Sequence, residues 1–340
     1  MTHQNPKPLA VTAIIVTYRS ADLTIGCLHS LVSERNDPTL DLRVVVVDNA
    51  SGDGPAIKSE IDAQNWSSWV RLVEAPRNGG FAYGNNVGFA WGLKDGNPDY
   101  FHLLNPDTLI KPGAVRILAE FLNAHPAAGI AGSSFENGDG SDWPIAFRFP
   151  SLMSEVEQGL KLGVVSKLLK KWVVPRTMSN LNEQIDWCAG ASMMVRRELI
   201  EKIGGMDQSF FLYYEETEFC WRAKQIGFEN WYVPASRVMH IAGQSTKVTE
   251  RDAAPKRLPA YLFESRRRYF QLTLGTCKAI AVDLAALLAC SLGRAKSRLQ
   301  GRQDQDIPHY IADLWQHSLI HRKNRDCAPQ QTTPEIPLEN

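Results

Sequence analysis

Carboxylates that could do chemistry gather at three places in this sequence. Glu215, Glu216 and Glu218 fall within four positions, wrapped by Phe210, Phe211, Tyr213, Tyr214, Phe219 and Trp221. Three acids in such surroundings cannot all be solvated, nor all buried without displaced pKa values, so some are functional or ion-paired. On a helix Glu215 and Glu218 share a face and Glu218 pairs with Arg222 at i,i+4, which leaves Glu216 as the carboxylate able to act as a general base. A solvated acidic helix start is the plain alternative. Asp107, in Asn105-Pro106-Asp107 after an apolar run, could hold a divalent cation that bridges a diphosphate; the same letters also suit a type I turn. A site with one acid needs another ligand. His240 offers an imidazole, although a lone His on an apolar strand is more often a satisfied core residue. Asp48 ends the run Val45-Val46-Val47, where it can accept from a nucleobase or ribose, or cap a following helix.

Those side chains need a scaffold that delivers them to one edge. Continuous apolar runs at 11–17 and 42–47 read as strands buried on both faces. Between them, Leu23, Cys27, Leu28 and Leu31 stand at helical spacing, which makes a βαβ unit with its ligand edge at the carboxyl ends of the strands. A strand at 70–74, a Gly/Asn-rich turn at 78–84, a helix at 85–93 and a strand at 100–104 continue the pattern. Further on come a helix at 114–125, a strand at 129–133, an exposed loop at 136–142 and a strand at 191–195 leading to a helix that ends at Gly204 and Gly205. Residues 150–183 resist assignment. Gly79, Gly80 and Gly84 do not match the GxGxxG dinucleotide fingerprint and no acid stands at the required distance, which counts against a dehydrogenase.

Length and composition set the outer bounds. A chain of 340 residues with 44% hydrophobic and 22% charged residues is a packed globule of one large α/β domain with appendages, or two domains, and not a disordered or collagen-like chain. The 37 basic and 37 acidic residues balance, but residues 251–302 hold eleven basic against three acidic. That excess attracts phosphates or membrane surfaces; without interleaved aromatic residues it gives no support to nucleic-acid binding. Six cysteines show no CxxC, and the first ten residues lack an apolar signal core, so a cytoplasmic location with reduced thiols is expected. The most apolar helical stretch, 273–293, is interrupted by Lys278 and Asp283, and is expected to pack on the protein or lie at a membrane surface.

Taken together, Ile14-Ile15-Val16-Thr17-Tyr18, Val47-Asp48-Asn49-Ala50-Ser51, residues 78–86, Leu104-Asn105-Pro106-Asp107, Cys188-Ala189-Gly190-Ala191-Ser192, residues 204–222 and His240 resemble the family 2 inverting glycosyltransferases, in their rhamnosyltransferase-like branch. The resemblance covers about residues 11–245. It implies a GT-A fold: Rossmann-like α/β, with a mostly parallel central sheet flanked by helices and a helical C-terminal extension. The expected organisation is a tail at 1–10, a catalytic domain at 11–250 (nucleotide-binding half 11–110, acceptor half 111–250), a basic helical extension at 251–325 and a disordered tail at 326–340. It further implies Thr17 and Asp48 on base and ribose, Asn78, Asn86 and Asn105 around the donor, and Asp107 with His240 as ligands of Mg²⁺ or Mn²⁺. Glu216 falls where the family carries its catalytic Asp, with Glu215 the other candidate base. The extra methylene is a departure, since about 1 Å of misplacement can cost a large rate factor. The implied donor is dTDP-rhamnose and the implied acceptor a glycan or lipid-linked glycan of the cell surface. Residues 251–302, with Arg266-Arg267-Arg268 before the apolar helix and Arg294, Lys296, Arg298 and Arg302 after it, would contact the inner face of the cytoplasmic membrane. A catalytically impaired nucleotide-sugar-binding protein is the alternative expectation.

Overall fold

The computed structural model describes residues 7–240, 256–301 and 307–325. Its first half runs β1 (Leu9–Thr17), α1 (Ala21–Arg35), β2 (Leu40–Asp48), α2 (Gly54–Ala63), β3 (Val70–Glu74), α3 (Gly80–Asp95) and β4 (Tyr100–Leu104). The strands are the apolar runs of the sequence, and β1, β2, β3 and β4 pair in parallel. Helix α2 was not expected: only Gly54, Ile57 and Ile61 are buried along it, too few to show a period. Helix α3 begins at Gly80, so part of the presumed Gly/Asn turn is its first turn. Gly84, Gly88 and Gly92 form a stripe facing the sheet. A Cβ there would stand 2.5 Å from Val16, 2.4 Å from Ile14 and 2.5 Å from Phe101, so the glycines allow close approach of helix to strand.

The second half contributes β5 (Thr108–Ile110), α4 (Ala114–Ala124), β6 (Ala128–Glu136), β7 (Asp142–Trp143), β8 (Ile145–Phe147), α5 (Leu152–Leu160), α6 (Gly163–Leu168), β9 (Pro175–Thr177), β10 (Glu183–Ile185), β11 (Ser192–Arg196), α7 (Arg197–Ile203), α8 (Glu215–Gln225) and β12 (Glu229–His240). The sheet order is β10-β12-β6-β11-β4-β1-β2-β3. The class is α/β as expected, and the sheet is mixed. β11 runs antiparallel to both β4 and β6, while β6 and β12 are parallel to each other. Apolar clusters cover both faces: Leu28, Leu31, Val115 and Leu118 on one, Phe89, Leu199, Phe219 and Met193 on the other.

A buried polar chain ties the strands that end at the site. His102 Nε2 meets Ser192 Oγ at 2.9 Å, Ser192 meets Ser133 at 2.7 Å, and Ser133 meets Ser236 at 2.8 Å. Ser236 then donates to the Ala114 carbonyl at 2.9 Å. Burial pushes the His102 imidazole down to about 3, so it stays neutral in this network.

Helices α9 (Ala260–Leu274), α10 (Thr276–Leu299) and α11 (Tyr310–His317) pack against one another, and α10 also packs on α5. Here the sequence reading needs correction. Arg266 and Arg268 are buried rather than turned to lipid. Arg266 bonds Glu155 at 2.7 Å and Asp283 at 2.6 Å, and Arg268 bonds Asp207 at 2.8 Å. Arg267 donates to the His317 carbonyl at 3.2 Å. A sequence window cannot show this inward turn, because the three acids that receive the guanidinium groups come from other elements. Arg302, residues 251–255 and the tail 326–340 lie outside the described residues.

Candidate active site

Strand β4 ends at Leu104 and the chain turns, closed by the Thr108 N–H donating to the Asn105 carbonyl at 3.2 Å. The turn is anchored on β11, whose approach carries the Ala191 carbonyl: it accepts from Asn105 N at 3.1 Å and from Thr108 Oγ1 at 3.2 Å. β5 then pairs antiparallel with β12, with Thr108 opposite His240. This register brings Asp107 Oδ1 to 3.4 Å from His240 Nε2, with Asp107 buried and His240 partly exposed. Both readings of Asn-Pro-Asp therefore hold at once: it is a turn, and its acid faces an imidazole.

No group of three or more His, Cys, Asp or Glu side chains suited to a metal ion occurs among the described residues. The pair nevertheless fits a divalent cation. Ligand bonds of about 2.1 Å allow two donor atoms on one ion to stand up to roughly 4 Å apart, and one carboxylate O with one imidazole N is a common donor set. The remaining coordination would have to come from a phosphate ligand or water.

Glu215 and Glu216 open α8, preceded by Tyr213 and Tyr214, which both hold left-handed backbone at φ 69° and 70°. That pair of unfavourable conformations is the kind of local strain that concentrates at functional sites. Burial pushes the Glu216 carboxyl up to about 7, against the opposing pull of the Glu216 and Thr217 N–H groups. Glu215 is driven further above the carboxylate range, by burial and then by the charge of Glu216. Glu218 and Arg222 form the expected pair at 2.7 Å, and Arg222 also donates to the Ile203 and Gly205 carbonyls. Of the three acids, only Glu216 is not fully covered. It stands beside Gly190, where an added Cβ would lie 2.9 Å from the Phe81 ring and 4.0 Å from Glu216 Cβ. Ala191 thus anchors the Asp107 turn while its neighbour Gly190 faces Glu216, so one segment links the Asp107–His240 pair to the acids that open α8.

Next to that segment lies a cavity of about 420 Å³ lined by Val16, Tyr18, Ser20, Asn49, Asn78, Gly80, Phe81, Asn105, Pro106, Phe211, Leu212 and Tyr261. Asn78 and Asn105 both line it. Thr17 is buried just behind it, donating to Asp53 Oδ2 at 2.8 Å. The other two assignments sit differently. Asp48 accepts from Ser51 N and Oγ and from Gly54 N, so its hydrogen bonds are those of the turn and helix cap. Asn86 is fully buried and clamps Met206, accepting from its N–H and donating to its carbonyl, both at 2.8 Å. Closed off from solvent by the surrounding fold, it does not line the cavity.

Residues 12–204 match the sequence pattern of Glycosyl transferase family 2. The chain belongs to that family. Among curated relatives, this family 2 chain is 28% identical to the N-acetylglucosaminyl-diphospho-decaprenol L-rhamnosyltransferase of Mycobacterium tuberculosis, over 64% of its length and 70% of the relative's. It is 25% identical to the dTDP-rhamnosyl transferase RfbF of Shigella flexneri, over 69% of its length and 70% of the relative's. The mannosyltransferase PcManGT from Pyrobaculum calidifontis, solved with GDP-Man and Mn²⁺, shares the fold with a TM-score of 0.52 at 18% identity, covering 92% of this chain and 79% of that one. The protein is a glycosyltransferase of GT-A fold, rhamnosyltransferase-like in sequence.

Several residues around this cavity were not singled out in the sequence reading. Asn49 donates to Asn78 Oδ1 at 3.1 Å and to the Gly80 carbonyl at 3.0 Å, and Asp53 accepts from Thr17 and Ser20. Both stand in the same strand-end turn as Asp48, a density of side-chain acceptors that was the available signal. Tyr18, Phe81 and Phe211 come from three segments far apart in sequence, and Tyr261 arrives from α9, farther still along the chain.

Proposed function

We propose that the protein is an inverting rhamnosyltransferase that moves the sugar of dTDP-rhamnose to a hydroxyl of a glycan or lipid-linked glycan in surface-polysaccharide assembly. The observation that carries the reading is Asp107 facing His240 at 3.4 Å on a turn anchored by Ala191, whose neighbour Gly190 faces Glu216. The names of the two rhamnosyl-transferring relatives support the sugar, and their shares of sequence support the site's origin.

Asn78, Asn105, Phe81 and Tyr18 would orient the nucleotide in the cavity. Asp107 and His240 would hold Mg²⁺ or Mn²⁺ there, which supplies positive charge to a departing diphosphate. Glu216, with its carboxyl near 7, is poised between holding and releasing a proton at neutral pH, the condition for a general base toward an acceptor hydroxyl. Attack from the face opposite the diphosphate inverts the anomeric carbon. Glu215, more deeply buried, is held well above the ordinary carboxylate range by burial and then by the charge of Glu216.

Thermal shift with dTDP-rhamnose, with and without Mn²⁺, tests this. Binding to the native state raises Tm by mass action. The wild type is expected to rise with both ligands, and Asp107→Asn to lose the Mn²⁺-dependent part while keeping its unliganded Tm. A rise that survives intact in Asp107→Asn would remove the metal assignment. Donor-induced stabilisation without sugar transfer to any acceptor would favour the impaired binding protein.

A further inference from the structure

The outer face of α10 is apolar and bare. Leu284, Leu288, Leu292 and Leu299 are each more than half exposed, and steps of four and seven keep them on one side of the helix. The opposite side carries Ala286, Ala289 and Gly293, packed so closely on α5 that a Cβ on Gly159 would lie 2.7 Å from that of Ala289. Helix α10 is long and apolar enough to cross a membrane. Its Asp283, however, is buried and bonded to Arg266 and to the Leu319 N–H. The helix is therefore held on the protein body and can offer a bilayer one face only.

Basic residues dominate the charge around that face, with Glu157, held by Ser166 Oγ of α6, the acid beside it. Residues 158–182 and 284–301 contain no Asp or Glu. They carry Lys161, Lys167, Lys170 and Lys171 in the first segment and Lys296 and Arg298 in the second. The two acid-free segments meet where Lys296 Nζ donates to the Lys161 carbonyl at 3.3 Å. Val164 and Leu168 on α6 add exposed apolar surface among those lysines. Lys278 and Lys296, a whole number of turns apart, border the leucine face on one side, and Arg298 borders it on the other.

We propose that this face rests on an anionic phospholipid bilayer, with the leucines at the boundary of headgroups and acyl chains and the lysines on lipid phosphates. A second copy of the chain suits the face less well. A two-helix seam advances by alternate steps of four and three, through 284, 288, 291, 295 and 298, which would bury Ser291 and Arg298 and leave Leu292 and Leu299 at its rim. Docking concerns where the enzyme sits rather than which bond it makes, so it stands or falls apart from the donor assignment.

Co-sedimentation of the full chain with phosphatidylcholine–phosphatidylglycerol vesicles, against pure phosphatidylcholine, is the test. The wild type should pellet with the anionic vesicles at low salt and release at high salt. Lys167→Glu/Lys170→Glu/Lys171→Glu should weaken partitioning by about a hundredfold or more. Leu284→Ser/Leu288→Ser/Leu292→Ser should abolish it, with the unliganded Tm of both variants unchanged as the check of folding. Three results would overturn the idea: wild type left in the supernatant at low salt, both variants pelleting like wild type, or sedimentation velocity showing a dimer that the serine variant dissociates.

Discussion

Glu216 carries two consequences of one displaced proton. Because burial raises its carboxyl from the ordinary 4.5 to about 7, the ionised form needed in a base accumulates only as pH climbs through neutrality. The kcat/KM profile should therefore rise with an inflection near 7 that belongs to the Glu215–Glu216 pair as a unit. Glu216→Gln should flatten it and lower the rate at its plateau by about a hundredfold or more. The same shift has a sign in stability. Between 4.5 and about 7 the native state keeps a proton that the unfolded chain has released, so stability falls as pH rises through that window. Glu216→Gln removes this penalty: its Tm should exceed the wild type's above neutrality and match it at acid pH, read by calorimetry at both ends. Retention of full transfer by the variant would reject Glu216 as the base.

At the scale of elements, the start of α3 sets the cavity wall. Gly80 has φ +83°, and a Cβ there would lie 1.9 Å from the Phe211 carbonyl oxygen, the acceptor of the Phe81 N–H. Gly80→Ala would add roughly 1–2 kcal/mol of left-handed backbone strain to a clash with backbone, so its Tm should fall and its donor-induced shift should vanish. Gly138→Ala, with nothing within 4 Å of the added carbon, should change neither. This element also shows what sequence does and does not carry. Strands β1 and β2 were legible because a strand buried on both faces reads as a continuous apolar run. The start of α3 was misjudged because Gly79, Gly80 and Gly84 look like turn residues, while Gly84 is there to let Val16 of β1 approach the helix. Asp107 and Glu216 were legible as acids with few partners nearby in sequence. Asn86 was not, since its obligation to Met206 exists only across the fold.

For the whole molecule, the C-terminal helices and the catalytic body are joined by buried charge. Arg266 of α9 holds Glu155 of α5 and Asp283 of α10, and Arg268 of α9 holds Asp207 beside the site. Tyr261 of the same helix lines the cavity of about 420 Å³ and Ser265 Oγ donates to the Leu212 carbonyl at 3.1 Å. Arg266→Met would leave two acids buried without their cation, at a cost of about 3–5 kcal/mol. Urea unfolding should show the loss as a lower midpoint, and adding Glu155→Gln and Asp283→Asn should restore part of it. A midpoint unchanged by Arg266→Met would mean that these acids find water or another cation.

The ladder between β5 and β12 gives the enzyme an order of assembly. Asp107 leaves the ribosome with the first half of the chain, whereas His240 is the last residue of the final strand, and only their antiparallel register puts the two side chains face to face. If the proposed cation sits between Asp107 and His240, a nascent polypeptide that has not yet docked β12 would possess one half of its clasp, and acquisition of the ion would report that the sheet has closed.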